Sequence, residues 1–256
     1  MRSPHRFSLY PEARCIRACG AGMLTVITWR WEAPGGVHFG PEYVNRLRSM
    51  LERHLHVPHE LVCVTDDRLG IDKRVRIVVP PRPLPGDMRC RRRMWQYAAE
   101  RRHDLGERIL AIDLDVVIVR DITPIVDRPE PLVCWRVGYA NVFSGSFVLF
   151  DAGALDGAWR AYAADPLFYP ALTGEKNASD QAMLNHFLKH KQVAQWKERD
   201  GFVTWFGGDR YKHLQHHGMG PDRPNLPPHA RIVVLGSNDK AIMDSGRYPW
   251  VKEHWQ

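Results

Sequence analysis

With 256 residues, 44% of them hydrophobic and 25% charged, the chain can bury one large core and has the make-up of a soluble globular protein. No apolar run approaches the roughly 20 residues that span a bilayer as a helix. The net charge of +7 is moderate, and its arginines concentrate at Arg89, Arg91, Arg92, Arg93, Arg101 and Arg102, in "MRCRRRMWQYAAERRHD". That cluster reads mainly as a solvated helix face. No zinc-finger, homeodomain or RNP-type motif accompanies it, so nucleic acid is not expected as a partner.

In chain order, residues 1–22 carry arginines but no apolar stretch of signal-peptide type before Met23. They are expected to be a disordered arm or an extension upstream of a start at Met23, with a short ordered arm as the alternative. "MLTVITW" reads as a buried strand. "GPEYVNRLRSMLERHLHV" places Val44, Leu47, Leu51 and Leu55 at helical spacing and ends before Pro58. "LVCVTDD" and "VRIVV" are further strands, a helix is expected over Arg91–Arg102, and "RILAIDLD" is a fourth strand. The alternation predicts an α/β fold, with a mostly parallel central sheet flanked by helices. "PLVCWRV" and "GSFVLFDAG" are strand-like, "ALDGAWRAYAAD" and "SDQAMLNHFLKHK" are amphipathic helices, and "ARIVVLG" is a late strand. The segment after Val203 is read as a small lobe laid over the sheet.

Five cysteines, at 15, 19, 63, 90 and 134, form no paired metal-ligand spacing, and Cys63 and Cys134 sit in apolar runs. A reducing, cytoplasmic setting is expected. The basic surface would suit peripheral contact with an anionic membrane, although no amphipathic anchor stands out.

In open α/β sheets, ligands gather beyond the carboxyl ends of the strands. Thr28, Asp66, Asp67, Asp113 and Asp115 all fall there. Asp113 and Asp115 pose a question, because a carboxylate inside an apolar segment needs a cation to compensate it. Asp-x-Asp puts both groups on one side of a strand or fans them around the turn at its end. Either geometry suits a hard divalent cation sharing its sphere with a diphosphate. The alternative is a loop-capping Asp113 with Asp115 paired to an arginine.

Beyond the tripeptide, several segments resemble one family. "RILAIDLDVVIVRDITPI" is similar to the metal-binding segment of GT-A glycosyltransferases. The likeness is to the family-eight type, which includes glycogenin and lipopolysaccharide galactosyltransferases, and is closer still to a group of uncharacterised bacterial glycosyltransferase-like proteins. "EYVNRLRSMLERHLHVPHELVCVTDD" resembles that group's first helix and second strand. "NVFSGSFVLFDAG" resembles the family's N-S-G strand, "SDQAMLN" its D-Q-x-x-x-N helix start, and "DRYKHL" a Tyr-Lys element of the second lobe.

The resemblance implies a GT-A nucleotide-diphospho-sugar transferase fold over residues 23–256, with a nucleotide-binding half (23–120) and an acceptor and sugar half with the C-terminal lobe (121–256). It implies a metal-dependent hexosyltransferase, of the retaining type. The donor would be a nucleotide-diphosphate sugar and the acceptor a saccharide or lipid-linked one. Asp113 and Asp115 would hold manganese or magnesium, Thr28 and Asp66 would lie near the nucleotide, and Ser144 and Gly145 would approach the donor closely. Asp180 and Gln181 would line the reacting face of the sugar, and Arg93, Lys212 or Lys240 would add positive charge at the diphosphate.

One motif departs from the family. Its late H-G-x-x-K-P-like segment reads "VVLGSNDKAIMD" here, with Leu235 where a metal-ligand histidine is expected. Asn238 or Asp239 could supply an oxygen instead, and His213, His216, His217 and His229 are other substitutes. Two alternatives stay open. "ILAIDLDVV" also fits the nucleophile strand of haloacid-dehalogenase-type phosphatases, with Asp113 as nucleophile, Asp115 as general acid/base, and Asp239 and Asp244 at the spacing of the late acidic motif. An inactive nucleotide-sugar-binding or scaffold protein of polysaccharide synthesis is the other.

Overall fold

Strand β1 (Leu24–Trp29) is buried at all six positions, and its side chains divide between two cores. Leu24 and Val26 join one apolar cluster, Ile27 and Trp29 the other. Strand β2 (His59–Val64) does the same, with Leu61 and Cys63 opposite Val62 and Val64. A period of two with both faces covered is why these strands read as unbroken apolar runs. The computed structural model describes residues 22–31, 38–81, 84, 89–167, 179–207, 209–235 and 240–256. The expected N-terminal arm up to residue 21, Cys15 and Cys19, and the late segment 236–239 with Asn238 and Asp239 lie outside them.

The larger sheet has seven strands. After β1 and β2 come β3 (Arg76–Val78), β4 (Arg108–Ile112), β6 (Leu132–Val137), β7 (Val142–Asp151) and β8 (Ala194–Trp196). Their order is β3-β2-β1-β4-β7-β6-β8. Strands β3, β2, β1 and β4 run parallel, β7 is antiparallel to both β4 and β6, and β6 and β8 are again parallel. The mostly parallel, helix-flanked sheet agrees with expectation. Because β7 runs against β4, its first residues lie where β4 ends, and Asp113 N–H donates to Ser146 O at 3.0 Å.

Strands β5 (Val116–Ile118), β9 (Phe202–Trp205) and β10 (Ile232–Leu235) form a second sheet in the order β5-β10-β9. The apolar run around the two acids is therefore two strands in two sheets, joined by the turn Asp113–Leu114–Asp115. Strands β8 and β9, at three and four residues, are too short to show a period, and the sequence reading missed both.

Helix α1 (Pro41–His54) starts with proline in its first turn and ends with Arg53 and His54, both favourable placements. It lays Tyr43, Val44, Leu47, Met50 and Leu51 on the first cluster. The other face is covered by a 3₁₀ helix (Arg89–Tyr97), α4 (Asp156–Ala164) and α5 (Asp180–Leu188). Two short helices, α2 (Arg102–Leu105) and α3 (Thr123–Val126), flank β4 and β5 in sequence. At the C-terminus, α6 (Lys240–Ser245) and α7 (Pro249–His254) are tied to α1. There the Tyr43 hydroxyl donates to Asp244 at 2.7 Å and the Tyr43 ring lies 5.3 Å from Trp255. No helix among the described residues is long and apolar enough to cross a membrane.

The helix expected over Arg91–Arg102 is instead 3₁₀ through Tyr97 and again over Ala99–Arg101. Three residues per turn stack Arg91, Met94 and Tyr97 in one row and Cys90, Arg93 and Gln96 in another. All but Cys90 are buried, which corrects the solvated-face reading for Arg91 and Arg93.

Phe147 is fully buried, with its ring 5.1 Å from Trp196 and 5.2 Å from Phe202. Phe147→Ala should lower unfolding free energy by roughly 3–5 kcal/mol in urea melts. A loss below about 1 kcal/mol would show that the core does not depend on this layer.

Candidate functional site

The turn that carries Asp113 and Asp115 opens at the carboxyl edge of the larger sheet. Its far end is fixed by Leu235 N–H donating to Asp115 O at 2.8 Å, which ties β10 to the turn. Both acids are partly exposed. Ile109 and Ala111 of β4 face the cluster that holds the 3₁₀ helix, and that helix brings Arg93 to Asp113.

Arg93 Nη1 pairs with Asp113 Oδ1, and Nη2 with Asp180 Oδ1 at 2.8 Å. One guanidinium thus spans two carboxylates from different elements. Its burial, the largest influence, works against charge, yet Asp180 together with Cys90 and Tyr97 more than offsets that and holds the guanidinium pKa above its ordinary value. Asp180 is the first residue of α5, with only 1% of its side chain exposed. Ser179 caps the helix by accepting from Ala182 N–H. Among the described residues, Oδ2 of Asp180 and Nε of Arg93 have no hydrogen-bond partner, although both are buried. Leaving buried polar atoms unpaired is costly, so such atoms call for an explanation. Tyr97 lies in the same 3₁₀ helix, and burial, then the Asp180 charge, pushes its phenol above the ordinary range.

Strand β7 supplies the opposite wall. Gly145 N–H donates to Gln181 Oε1 at 3.2 Å, and Ser144, also buried, accepts from Ser146 N–H at 3.1 Å. A Cβ on Gly145 would meet Asp180 Oδ2 at 3.3 Å, Arg93 Nη2 at 3.6 Å and Gln181 Cβ at 3.6 Å. The glycine is there because the strand passes so close to the ion pair. Asn185 locks this arrangement, accepting from Phe143 N–H and donating to Phe143 O, each at 2.7 Å. It ends the "SDQAMLN" segment, but the sequence reading gave it no role.

A shallow pocket opens beyond β1 and β2, lined in part by Trp29, Trp31, Thr65, Asp66 and Arg92. Arg92 lies 5.3 Å over the Trp31 ring. Trp29 Nε1 donates to Gln96 Oε1 at 2.8 Å, fixing the pocket to the 3₁₀ helix. Thr28 is buried at the end of β1, its hydroxyl without a partner among the described residues. Asp67 is structural: it accepts from Arg30 and from Leu69 N–H, and those bonds hold its carboxyl below the usual range, the Leu69 bond contributing most.

The structure brings Arg93, Asp113, Gly145, Asp180 and Gln181 together, with Asp115 and Ser144 beside them in sequence. It does not bring Lys240 to them. The Lys240 ammonium donates to His38 O and sits 4.6 Å from the Tyr43 ring. The Lys212 side chain lies outside the described ones. Asp244, a late acid of the phosphatase alternative, accepts from the Tyr43 hydroxyl of α1 at 2.7 Å. His213, His216, His217 and His229 are exposed, and no group of three His, Cys, Asp or Glu among the described residues is set to hold a metal. The donor chemistry of Asp113 and Asp115 nevertheless fits a magnesium- or manganese-type ion. Such ions commonly take one or two carboxylates from protein and the remaining oxygens from phosphate and water.

No family model matches the chain, and no curated protein matches it by sequence. Among solved structures, it is similar to the galactosyltransferase LgtC in complex with donor and acceptor sugar analogs. The TM-score is 0.53 at 14% identity, over 83% of this chain and 87% of that one. At that identity the likeness is one of fold: the chain has a GT-A-type architecture.

Removing the bridging cation should strand two carboxylates. Arg93→Met should cost about 3–5 kcal/mol of unfolding free energy. Asp180→Asn added to it should restore part of that loss. Additivity within about 0.5 kcal/mol in denaturant melts would contradict the coupling.

Proposed function

We propose that the chain is a glycosyltransferase that moves a hexose from a nucleotide-diphosphate sugar to a saccharide or lipid-linked acceptor, with a divalent cation. The observation that carries this reading is the Arg93 bridge, which joins the Asp-x-Asp turn to a fully buried aspartate beside the close-packed Gly145. A purely structural ion pair has no need of unpaired polar atoms at its edge.

In this reading the pocket beyond β1 and β2 takes the nucleotide, with Thr28 and Asp66 near the base and Arg92 facing the phosphates. Asp113 and Asp115 would hold manganese or magnesium. The ion, when bound, would offset the negative charge that grows on the diphosphate as it leaves. The remaining work falls to the chain's own groups. Arg93 keeps a permanent positive charge in a site of low polarity, where such a charge acts most strongly. It also fixes Asp180, so that the free Oδ2 can accept from a sugar hydroxyl. Gln181 is oriented by Gly145 N–H, which leaves its amide NH₂ as a donor toward the sugar. Ser144 and Gly145 would approach the donor with little steric bulk. Asp180 and Gln181 would line the reacting face, and a retaining outcome is part of the proposal. Lys240, at the start of α6, places its ammonium against His38 O and the Tyr43 ring of α1, so the diphosphate role is left to Arg93 and Arg92 in this proposal.

The test is a thermal-shift screen of uridine, guanosine, adenosine and cytidine diphosphates and their hexose conjugates, with manganese, magnesium or chelator. At least one nucleotide should raise Tm with metal present, because a ligand that binds only the native state stabilises it. Asp113→Ala and Asp115→Ala should lose the metal-dependent part of that rise while still folding. No stabilisation by any nucleotide under any metal condition would overturn the proposal.

A further inference from the structure

We propose that Arg93 competes with the divalent cation for Asp113, so that it keeps the metal affinity of the turn low and yields Asp113, but not Asp180, when the ion binds. The inference rests on the glycosyltransferase reading and adds to it a residue of this chain that governs when the site takes up its ion.

Arg93 Nη1 pairs with Asp113 Oδ1, so the guanidinium draws on the same carboxylate that would hold the ion. A cation arriving at Asp113 either displaces this fixed positive charge or binds beside it. Both are unfavourable, since like charges a few ångströms apart repel. The proton gives the scale of the effect. An arginine beside an aspartate makes proton uptake about ten- to a thousandfold harder. A divalent ion, with twice the charge, is opposed on the same scale.

The two ends of the guanidinium are not equivalent. Nη2 meets Asp180 at 2.8 Å, and that carboxylate is only 1% exposed. Gly145 closes this end, where a Cβ would stand 3.6 Å from Nη2. The Asp113 side chain is 22% exposed, at the edge where the turn opens. Its backbone is fixed by the N–H that donates to Ser146 O at 3.0 Å. The Asp113 end is therefore the one an ion from solvent reaches, and the Asp180 end is the one that stays.

A buried cation that loses its only partner is strongly destabilising. Arg93 avoids that loss, because Asp180 still pairs it after Asp113 has turned to the ion. Nη1 then becomes a donor for anionic oxygens such as those of a diphosphate. This gives a reason for two carboxylates on one arginine, where a single one would neutralise it.

Manganese binding to the purified full chain without nucleotide, read from the loss of the free-ion EPR signal, tests this. Arg93→Met should bind manganese at least about tenfold more tightly than wild type. A damaged fold does not produce such a gain. Asp180→Asn, which leaves the guanidinium to Asp113 alone, should bind it more weakly than wild type. The double variant Arg93→Met/Asp180→Asn removes one charge of each sign, so a general field effect predicts wild-type affinity, whereas direct competition predicts tighter binding. Asp113→Asn added to the double variant should abolish the gain. No gain in the double variant overturns the inference, as does a gain that survives Asp113→Asn. The two readings fail separately. Nucleotide stabilisation without the gain removes only the competition, and a gain through Asp113 without any nucleotide binding keeps the competition and removes the transferase reading.

Discussion

A single guanidinium, that of Arg93, holds the centre of this protein together. It joins the turn where the chain leaves the larger sheet to the start of helix α5, beside a strand whose Gly145 passes it closely. Two carboxylates pressed into an apolar edge would otherwise repel each other and lose their hydration. With Arg93 between them they become a fixed pair, and the 3₁₀ helix that delivers Arg93 is anchored through Gln96 to the end of β1. The pocket beyond β1 and β2, the Asp-x-Asp turn and the α5 start are thereby coupled through a few side chains.

That coupling explains a departure from ordinary secondary structure. Nine residues of 3₁₀ helix are unusual, since the geometry is poorer than that of an α-helix. Here the tight winding aligns Arg93 with Gln96, one reaching the acids and the other the Trp29 indole. An α-helix would turn the two positions apart by about 60°. The local cost is offset by Met94, Trp95 and Tyr97 packing in the second cluster and by the polar bonds of Arg93 and Gln96.

Much of the fold was legible in the sequence because its strands are buried on both faces and read as apolar runs, and because α1 carries clear start and stop signals. The Asp-x-Asp pair, Gly145 and the Asp180–Gln181 helix start were found from motif and order, and the structure gathers them with Arg93. What the sequence could not show was long-range pairing. Nothing near Arg93 reveals that its partners lie 20 and 87 residues away. Lys240 was misread because a lysine near the expected motif looks the same whether it meets a phosphate or the Tyr43 ring. Strands β8 and β9 were too short to announce themselves, and Asn185 works through backbone atoms that no pattern of side chains reveals.

The central claim is that the Arg93-linked acids form a donor site that turns over. The most direct measurement is release of nucleoside diphosphate from nucleotide hexoses by purified wild-type chain, compared with Asp180→Asn and Asp113→Asn, at fixed manganese. Metal-dependent release is predicted. It should fall by about a hundredfold in Asp180→Asn, the scale of removing one positioned polar group from a reacting centre, with melting curves that still show a folded protein. Release that is equally fast in both variants would contradict the claim.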